Sequence, residues 1–346
     1  MKVLPGAAQL HFEGRFDGSD PSGPRFEWPG STVWLRFDGT GAKVTLSEQS
    51  LETDEYGHAA HNWYDVFVDG QPAQPLLAAE GTQSYLLAAG LVRGEHRLAL
   101  RKRTEAYVGV GQLLGFELDP GSKVLAAESP QRRLEFIGDS VTVGFGVDGS
   151  DASCLFSADT ENYSHSYAAL TAQDLGAAQI AVASSGAGVY RNWGGSTVET
   201  IGDLYPRVLP TDPASHWNFS AWTPDAVVIN LGTEDFTSGD PGHDAFVGAY
   251  RSLLGRVRQT YPSALIVVAL GPMLSDLWPQ GAQALSRARA YVSEVVNATA
   301  DPRVKLIEFD NQDEAGSYGC KSHPNAATHR RVADQLTAYL HAQLGW

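Results

Sequence analysis

The motif "GDS" places Ser140 directly after "RRLEFI", a run that alternates and ends apolar, as a strand entering a sheet does. A serine at the end of such a strand lies where open α/β sheets bind their ligands. Its hydroxyl becomes a nucleophile only when a base within hydrogen-bond reach takes its proton, and histidine titrates in the right range. His323 is the candidate base, and Pro324 after it predicts the first turn of the last helix. The chemistry that this pair indicates is acyl transfer.

Acyl transfer also needs hydrogen-bond donors for a developing oxyanion. Gly186 has no side chain, so its backbone N–H can approach a ligand closely, and the N–H of Ser140 can serve beside it. Asp139 is expected to brace the serine loop. Taken singly, these motifs have ordinary explanations as a turn, a helix-start histidine and a loop glycine. Four loops that each follow a predicted strand favour a shared site, because strand ends of one parallel sheet meet at one edge: "GDS", "SSGAGVYRNWGG", "NLGTEDF" and "GCKSHPNAATH".

The elements that must position these loops change character along the chain. From Gln9 to about Leu118, short alternating segments with Asp-Gly and Gly-rich breaks predict an antiparallel β-sandwich or jelly roll. After Arg133, near-continuous apolar strands alternate with helical segments, which predicts a three-layer α/β domain with a mostly parallel sheet. The predicted helices are "ENYSHSYAALTAQDL" with Thr160 as N-cap, "HDAFVGAYRSLLGRVRQTY", "QALSRARAYVSEVVNATA" and a segment from Pro324 to about Leu344.

Length and composition set the domain count and the partners. At 346 residues, two domains are expected. We place the sandwich at 1–125 and the α/β domain at 126–346, with the connection inside Asp119–Arg133. The formal charge of −15 disfavours phosphate backbones and anionic lipid, so we expect no nucleic-acid or membrane partner. The apolar runs are only strand length. We expect no cofactor and no metal, because no His or Cys spacing matches a zinc or CxxC motif.

The order of the four loops resembles that of the SGNH hydrolases, in which a "GDS" serine, a loop glycine, a "GxND" asparagine and a "DxxHP" histidine occupy successive blocks. The resemblance is closer still to the family-two carbohydrate esterases, which pair a jelly roll with an SGNH domain. "IGDSVTVGFG", "SSGAGVYRNWGG", "YPR" at Tyr205–Arg207, "PDAVVINLGTEDF" and "GCKSHPNAATH" are similar to segments of that family. The resemblance implies a serine esterase that removes O-acetyl groups from plant cell-wall polysaccharides such as xylan or mannan.

Two positions depart from the family pattern. The positions three and two residues before His323 are Cys320 and Lys321 instead of Asp. Some relatives use a Ser-His dyad in which a main-chain carbonyl accepts the imidazole N–H, and we expect that arrangement here, with the carbonyl coming from the Lys321 region and with Asp310 or Asp313 as remote alternatives.

The second departure is Glu234, which stands where the family has the asparagine oxyanion donor. An ionised carboxylate cannot donate, and losing one donor costs about 2.7–4 kcal/mol. Three outcomes remain open: Glu234 is protonated through burial, it points away, or the protein is a weak catalyst.

Arg191, Asn192 and Trp193 follow the oxyanion glycine and are predicted to line the mouth of the pocket. Trp217, with Trp222 and Trp278 as further candidates, is predicted to stack on sugar faces. The alternative for most tryptophans is a structural place at a domain interface.

Cys154 follows the nucleophile loop, and Cys320 precedes His323. If both loops approach one pocket, these cysteines are neighbours, and we predict a disulfide between them. A disulfide implies an oxidising compartment. The N-terminus shows no signal-peptide core, so the protein is either cytosolic or has lost a leader, and the predicted disulfide favours secretion or the periplasm.

The leading hypothesis is an acetyl esterase acting on acetylated polysaccharides or oligosaccharides. The alternatives are a carbohydrate-binding protein with impaired catalysis, and an SGNH lipase or thioesterase acting on other small acyl esters. Retention of both Ser140 and His323 favours the enzyme.

Overall fold

The computed structural model describes residues 1–53, 57–126, 128–312 and 318–346. The chain forms two units. The first comprises Met1–Pro130 with the short segments Ser157–Asp159 and Val208–His216, and the second comprises the remainder. The main boundary thus falls five residues after the expected one, between 130 and 131 rather than 125 and 126. Two short segments of the later chain pack with the first unit.

The first unit is a β-sandwich of antiparallel strands, as predicted. Its described strands are β1 (Lys2–Val3), β2 (His11–Glu13), β3 (Arg25–Phe26), β4 (Thr32–Gly39), β5 (Ala42–Ser50), β6 (Trp63–Val68), β7 (Gln71–Pro72), β8 (Leu76–Leu77), β9 (Gly81–Ala88), β10 (Gly94–Lys102), β11 (Gly109–Leu118) and β12 (Lys123–Leu125). One sheet has the order β1-β11-β5-β9 with β3 on β11. The other has the order β12-β4-β10-β6-β7, with β2 on β4 and β8 on β6.

The alternation of apolar residues explains this sandwich. In β4, Val33, Leu35 and Phe37 are buried while Trp34 and Arg36 between them are only partly so. Since successive side chains of a strand point to opposite faces, one face of each strand enters the shared core. Apolar residues of both sheets form that core, so the first unit has its own hydrophobic centre.

The second unit is a three-layer α/β domain, which confirms the predicted fold class. Its parallel sheet consists of β13 (Arg132–Gly138), β14 (Ala177–Ala183), β15 (Ala226–Asn230), β16 (Leu265–Leu270) and β17 (Val304–Glu308) in the order β14-β13-β15-β16-β17. Its described α-helices are α1 (Ser140–Val143), α2 (Tyr167–Asp174), α3 (Ile201–Leu204), α4 (Thr233–Phe236), α5 (His243–Thr260), α6 (Ala284–Ala298) and α7 (Ala326–Leu344). Helices α2 and α7 share a core with one face of the sheet.

Two helix starts differ from the sequence prediction. Ser166, not Thr160, caps α2, because its hydroxyl accepts from the Ala169 amide. Asn325 caps α7 by accepting from the Thr328 amide, so the helix starts at Ala326 and Pro324 lies outside it. Side-chain oxygens that accept from these first-turn amides decide where each helix begins. Within the described residues, no helix is both long and apolar enough to cross a bilayer.

Candidate active site

The register of the sheet brings three of the four loops together. Gly138 of β13 lies level with Ala183 of β14 and with Asn230 of β15, so the loops after these residues leave the sheet side by side. The chain passes from β13 to β14 on one side and then to β15 on the other. This reversal makes β13 the switch point, where doubly wound sheets have their ligand crevice. Ser140 lies two residues beyond the end of that strand.

The serine loop is a single helical turn with both ends capped. Asp139 accepts from the Val141 amide at 3.0 Å, and Gly144 ends the turn in the left-handed region. Ser140 is the first residue of this turn, so its own N–H has no carbonyl partner within the helix. The side chain is 2% exposed. The turn thus presents a hydroxyl and an amide N–H from one residue.

His323 contacts Ser140 directly. The imidazole Nε2 lies 2.9 Å from Ser140 Oγ, and Nδ1 lies 3.2 Å from the Cys320 carbonyl oxygen. Because a carbonyl only accepts, Nδ1 carries the proton and Nε2 is free to accept from the hydroxyl. The Phe145 ring packs 4.4 Å from the imidazole. Burial lowers the pKa of His323 to about 4, so the ring is neutral at ordinary pH.

Glu234 faces the donor side of the site. It lies in α4, is 7% exposed, and accepts a hydrogen bond from the Gly186 amide. Burial, followed by the charge of Asp235, raises the pKa of Glu234 to about 7. Of the three outcomes considered from sequence, the buried and partly protonated carboxyl fits this geometry, and a side chain pointing away does not.

Asp235 holds the loop that carries Gly186. Its carboxyl oxygens accept from three consecutive amides, those of Val189, Tyr190 and Arg191, at 2.8–2.9 Å. The side chain is fully buried. Gly186 has a φ of 77°, in the left-handed region that favours glycine. Asp235 therefore fixes the loop that sets the direction of the Gly186 amide.

Asp139 is fully buried beneath the serine turn. Burial, with a further contribution from Glu234, raises its pKa well above the usual carboxyl range. One oxygen accepts from the Val141 amide. The expected role as a brace fits these contacts.

Two of the predicted sugar-binding side chains are turned to the backbone instead. Arg191 donates to the carbonyls of Asp235 and Gly239 at 2.7 and 2.6 Å. Asn192 accepts from the Gly188 amide at 3.0 Å and donates to the Val198 carbonyl at 3.0 Å. Both brace the loop.

Trp193 is 72% exposed next to Gly186, whose carbonyl accepts from the Trp193 amide. A second exposed apolar pair, Leu277 and Trp278, lies in the loop after β16. Both loops follow the carboxyl ends of sheet strands.

Trp217 lies elsewhere. Its segment leads into the amino end of β15, and the ring of Phe219, two residues on, packs there at 6.1 Å from the ring of Tyr261, the residue directly after α5. This is the opposite end of the sheet from Ser140, so the structure does not bring Trp217 to the serine and the histidine.

Cys154 and Cys320 form a disulfide across 166 positions of sequence. Of the remote acid candidates, Asp310 is exposed to solvent and Asp313 lies outside the described residues. Within the described residues, no group of three or more His, Cys, Asp or Glu side chains is arranged to hold a metal ion.

Sequence reasoning missed Phe145 and Asp235. An aromatic residue within the small-residue segment "VGFGV" was the available signal for Phe145. For Asp235 it was a second acid directly after Glu234, since two adjacent buried carboxyls need amide donors. Neither signal shows which atoms the side chain contacts.

Two family models match the chain. Carbohydrate esterase 2 N-terminal matches residues 12–127, and the GDSL-like Lipase/Acylhydrolase family matches residues 136–331. Together with the fold and the site, these matches place the chain in the GDSL-like lipase/acylhydrolase class.

The chain belongs to the family two carbohydrate esterases. It is 41% identical to a solved structure of a family two carbohydrate esterase from Clostridium thermocellum in complex with cellohexaose, with a TM-score of 0.89 over 97% of this chain and 99% of that one. It is 42% identical over 339 residues to the cellulase/esterase CelE of Acetivibrio thermocellus, of whose length it spans 39%. An acetylxylan esterase / glucomannan deacetylase of Cellvibrio japonicus is 26% identical, with 96% of this chain and 88% of that one covered.

Proposed function

We propose that this protein removes acetyl groups from neutral plant polysaccharides or their oligosaccharides through a Ser-His dyad. The 2.9 Å contact between Ser140 Oγ and His323 Nε2 carries the proposal. A neutral imidazole with its Nδ1–H on the Cys320 carbonyl can take the serine proton as the hydroxyl attacks. The carbonyl takes the orienting role that an aspartate has in a triad.

The reaction then follows acyl-enzyme chemistry. Ser140 Oγ attacks the carbonyl carbon of the acetyl group, and the proton on His323 passes to the sugar oxygen as that oxygen leaves. Water, deprotonated by His323, releases acetate from the serine. The donors for the oxyanion are the amides of Ser140 and Gly186.

Glu234 decides how strong this oxyanion hole is. As a carboxylic acid it donates a hydrogen bond in the place of the family's asparagine. As a carboxylate it accepts from the Gly186 amide and competes with the substrate oxygen for that donor. We therefore expect activity to fall as pH rises through about 7. It should also fall as His323 becomes protonated near pH 4.

The substrate class follows from the rim and from the relatives. Trp193, beside Gly186, offers an exposed aromatic face that suits the apolar side of a sugar ring. The net charge of −15 disfavours anionic polymers. Relatives are described as acting on acetylxylan and glucomannan, and one solved structure holds cellohexaose. Arg191 and Asn192 support this rim as loop braces.

The disulfide between Cys154 and Cys320 supports a place in an oxidising compartment, and we propose that the protein is secreted or periplasmic. An extracellular setting also fits a polymeric plant substrate.

Acetate release from acetylated xylan, acetylated glucomannan and p-nitrophenyl acetate tests the proposal. The parent protein should release acetate from the polysaccharides, and Ser140→Ala and His323→Ala should each lose about 10³-fold or more. Trp217→Ala, a change at the other end of the sheet, is the matched control and should retain activity. Binding of cellohexaose with no serine-dependent acetate release would instead favour a carbohydrate-binding protein with impaired catalysis.

A further inference from the structure

Cys320 contacts both His323 and the segment after the serine loop. Its main-chain carbonyl is the hydrogen-bond acceptor for the imidazole, and its side chain is bonded to Cys154. Its carbonyl accepts from His323 Nδ1 at 3.2 Å and from the His323 amide at 3.0 Å. Its own amide donates to the Gly146 carbonyl at 3.0 Å. Its sulfur is bonded to Cys154. One residue therefore links the candidate base to the segment that follows the nucleophile.

The disulfide lies directly on that segment. A Cβ added to Gly149 would lie 2.3 Å from Cys320 Sγ, and one added to Gly146 would lie 2.7 Å from Cys320 Cβ. Glycine is required at both positions because the backbone passes so close to the sulfur and its carbon. Phe145, adjacent to Gly146, packs on the imidazole. The bridge, the serine loop and the ring of His323 thus form one continuous packed group.

The turn between the bridge and the base is unfavourable by itself. Lys321 and Ser322 have φ values of 51° and 60°, in the left-handed region that residues with a Cβ rarely adopt. Two such residues in succession persist only where the surrounding structure over-determines them. Cys320 is the fixed point immediately before this turn, and the direction of the His323 ring depends on it.

We propose that the Cys154–Cys320 disulfide is a positioning device for the catalytic base, which holds the Cys320 carbonyl where it orients the His323 imidazole toward Ser140. Cys154 is then a positioning residue that acts through Cys320, and neither sulfur touches substrate. The inference rests on the proposed esterase function. It adds that a covalent bond maintains the orientation that a triad aspartate would otherwise provide.

The test compares the oxidised protein with a form that lacks the bond. The double variant C154S/C320S keeps the main chain of both residues. Alternatively, an added dithiol reduces the folded native protein: the S–S bond breaks, two thiols form, and the dithiol becomes a cyclic disulfide. Both forms are assayed with p-nitrophenyl acetate well below the unfolding temperature.

We expect kcat to fall about 10- to 100-fold with KM within about 2-fold, because a misdirected base slows proton transfer and leaves substrate binding alone. Leu254→Ala, a buried change in α5, is the matched control. It lowers stability by an amount similar to the loss of a disulfide and should leave kcat unchanged. An unchanged kcat in the unbridged protein, or an equal fall in Leu254→Ala, overturns the proposal.

A second readout follows the ring itself. In protein labelled with ¹⁵N-histidine, the resonance of His323 is assigned by its absence in the His323→Ala variant. In the oxidised form this resonance should show a proton on Nδ1. Without the bridge it should show mixed tautomers. An unchanged resonance overturns the proposal, and so does global unfolding on reduction, because the bridge would then hold the fold and not the ring.

The Ser140→Ala variant separates this inference from the proposed function. If the parent protein releases no acetate in a Ser140-dependent way, the proposed function fails. If it does, and the bridge changes neither kcat nor the resonance, only the positioning role fails.

Discussion

The Gly186 loop (Ser184–Gly195) and the His323 loop (Gly319–Pro324) are held in place by different chemistry. The Gly186 loop is bound by side-chain hydrogen bonds, because the carboxyl of Asp235 accepts from three successive backbone amides. The His323 loop is bound by the disulfide at Cys320 and by main-chain hydrogen bonds. In the proposed mechanism, the first loop supplies an oxyanion donor and the second supplies the base.

The difference means that the two halves of the site respond to different conditions. Protonation of carboxyls changes the donor side, because Glu234 and Asp235 lie there and burial raises the pKa of both. Reduction acts on the base side. Replacing Glu234 should therefore change the fall of activity near pH 7, and breaking the disulfide should lower turnover.

Among changes that keep both Ser140 and His323, the largest effect is expected from Asp235→Ala. The change leaves three amides of the Gly186 loop without their acceptor, and one unsatisfied buried donor alone costs about 1–3 kcal/mol. We expect the free energy of unfolding to fall by at least about 3 kcal/mol. We also expect kcat to fall by about 10²-fold or more, because the Gly186 amide no longer points at the oxyanion. Chemical denaturation and steady-state kinetics measure the two effects.

Asp235→Asn sharpens this result. The amide keeps one accepting oxygen and should retain part of both stability and activity. Equal losses in the alanine and asparagine variants would show that charge, not geometry, holds the loop.

The next effect is expected from Glu234→Gln. A glutamine amide donates at every pH, so the fall in activity near pH 7 should disappear. At pH 9 we expect the variant to exceed the parent by about 10- to 100-fold. A pH profile of kcat/KM from 4 to 10 measures it. If the parent's decline persists in the variant, Glu234 does not act in the oxyanion hole.

A smaller effect is expected from Phe145→Ala on the base side. Removing the ring 4.4 Å from the imidazole lets water reach His323, so its pKa should rise from about 4 toward the ordinary histidine value. The acid limb of activity should then move upward by about one pH unit. Phe219→Ala, which removes a ring at the other end of the sheet, is the control. An unmoved acid limb in Phe145→Ala would contradict the role given to this ring.

The smallest effect is expected from Ser322→Gly. Glycine adopts a φ of 60° without the Cβ penalty, so thermal unfolding should show a gain of about 0.5–1 kcal/mol. Ser252→Gly, in the middle of α5, should lose a similar amount because its backbone is helical. A loss in Ser322→Gly would show that the serine side chain matters more than its backbone.

Sequence reasoning was sufficient for the architecture because the two periods of hydrophobicity are distinct. Alternation in β4 predicts a strand with one buried face, and the near-continuous apolar runs of β15 and β16 predict strands of a parallel sheet covered on both faces. The pairing of Ser140 with His323 follows from the order of loops along a parallel sheet.

Side-chain direction within loops was not predictable. Arg191 and Asn192 were predicted to line the mouth of the pocket, and their partners are backbone carbonyls and an amide, which no spacing of residue types reveals. The prediction for Trp217 missed that Val208–His216, the segment directly before it, belongs to the first unit, and that Phe219, two residues on, packs on Tyr261. A composition-based argument for stacking cannot detect such an excursion.

The closed covalent ring from Cys154 to Cys320 spans 166 positions and leaves Ser140 on one tail and His323 on the other. A protease that nicks an exposed stretch inside the ring, such as Gly194–Gly195, leaves both fragments tethered beside each other. After a single cut there, Ser140 and His323 should remain together in one covalently linked molecule.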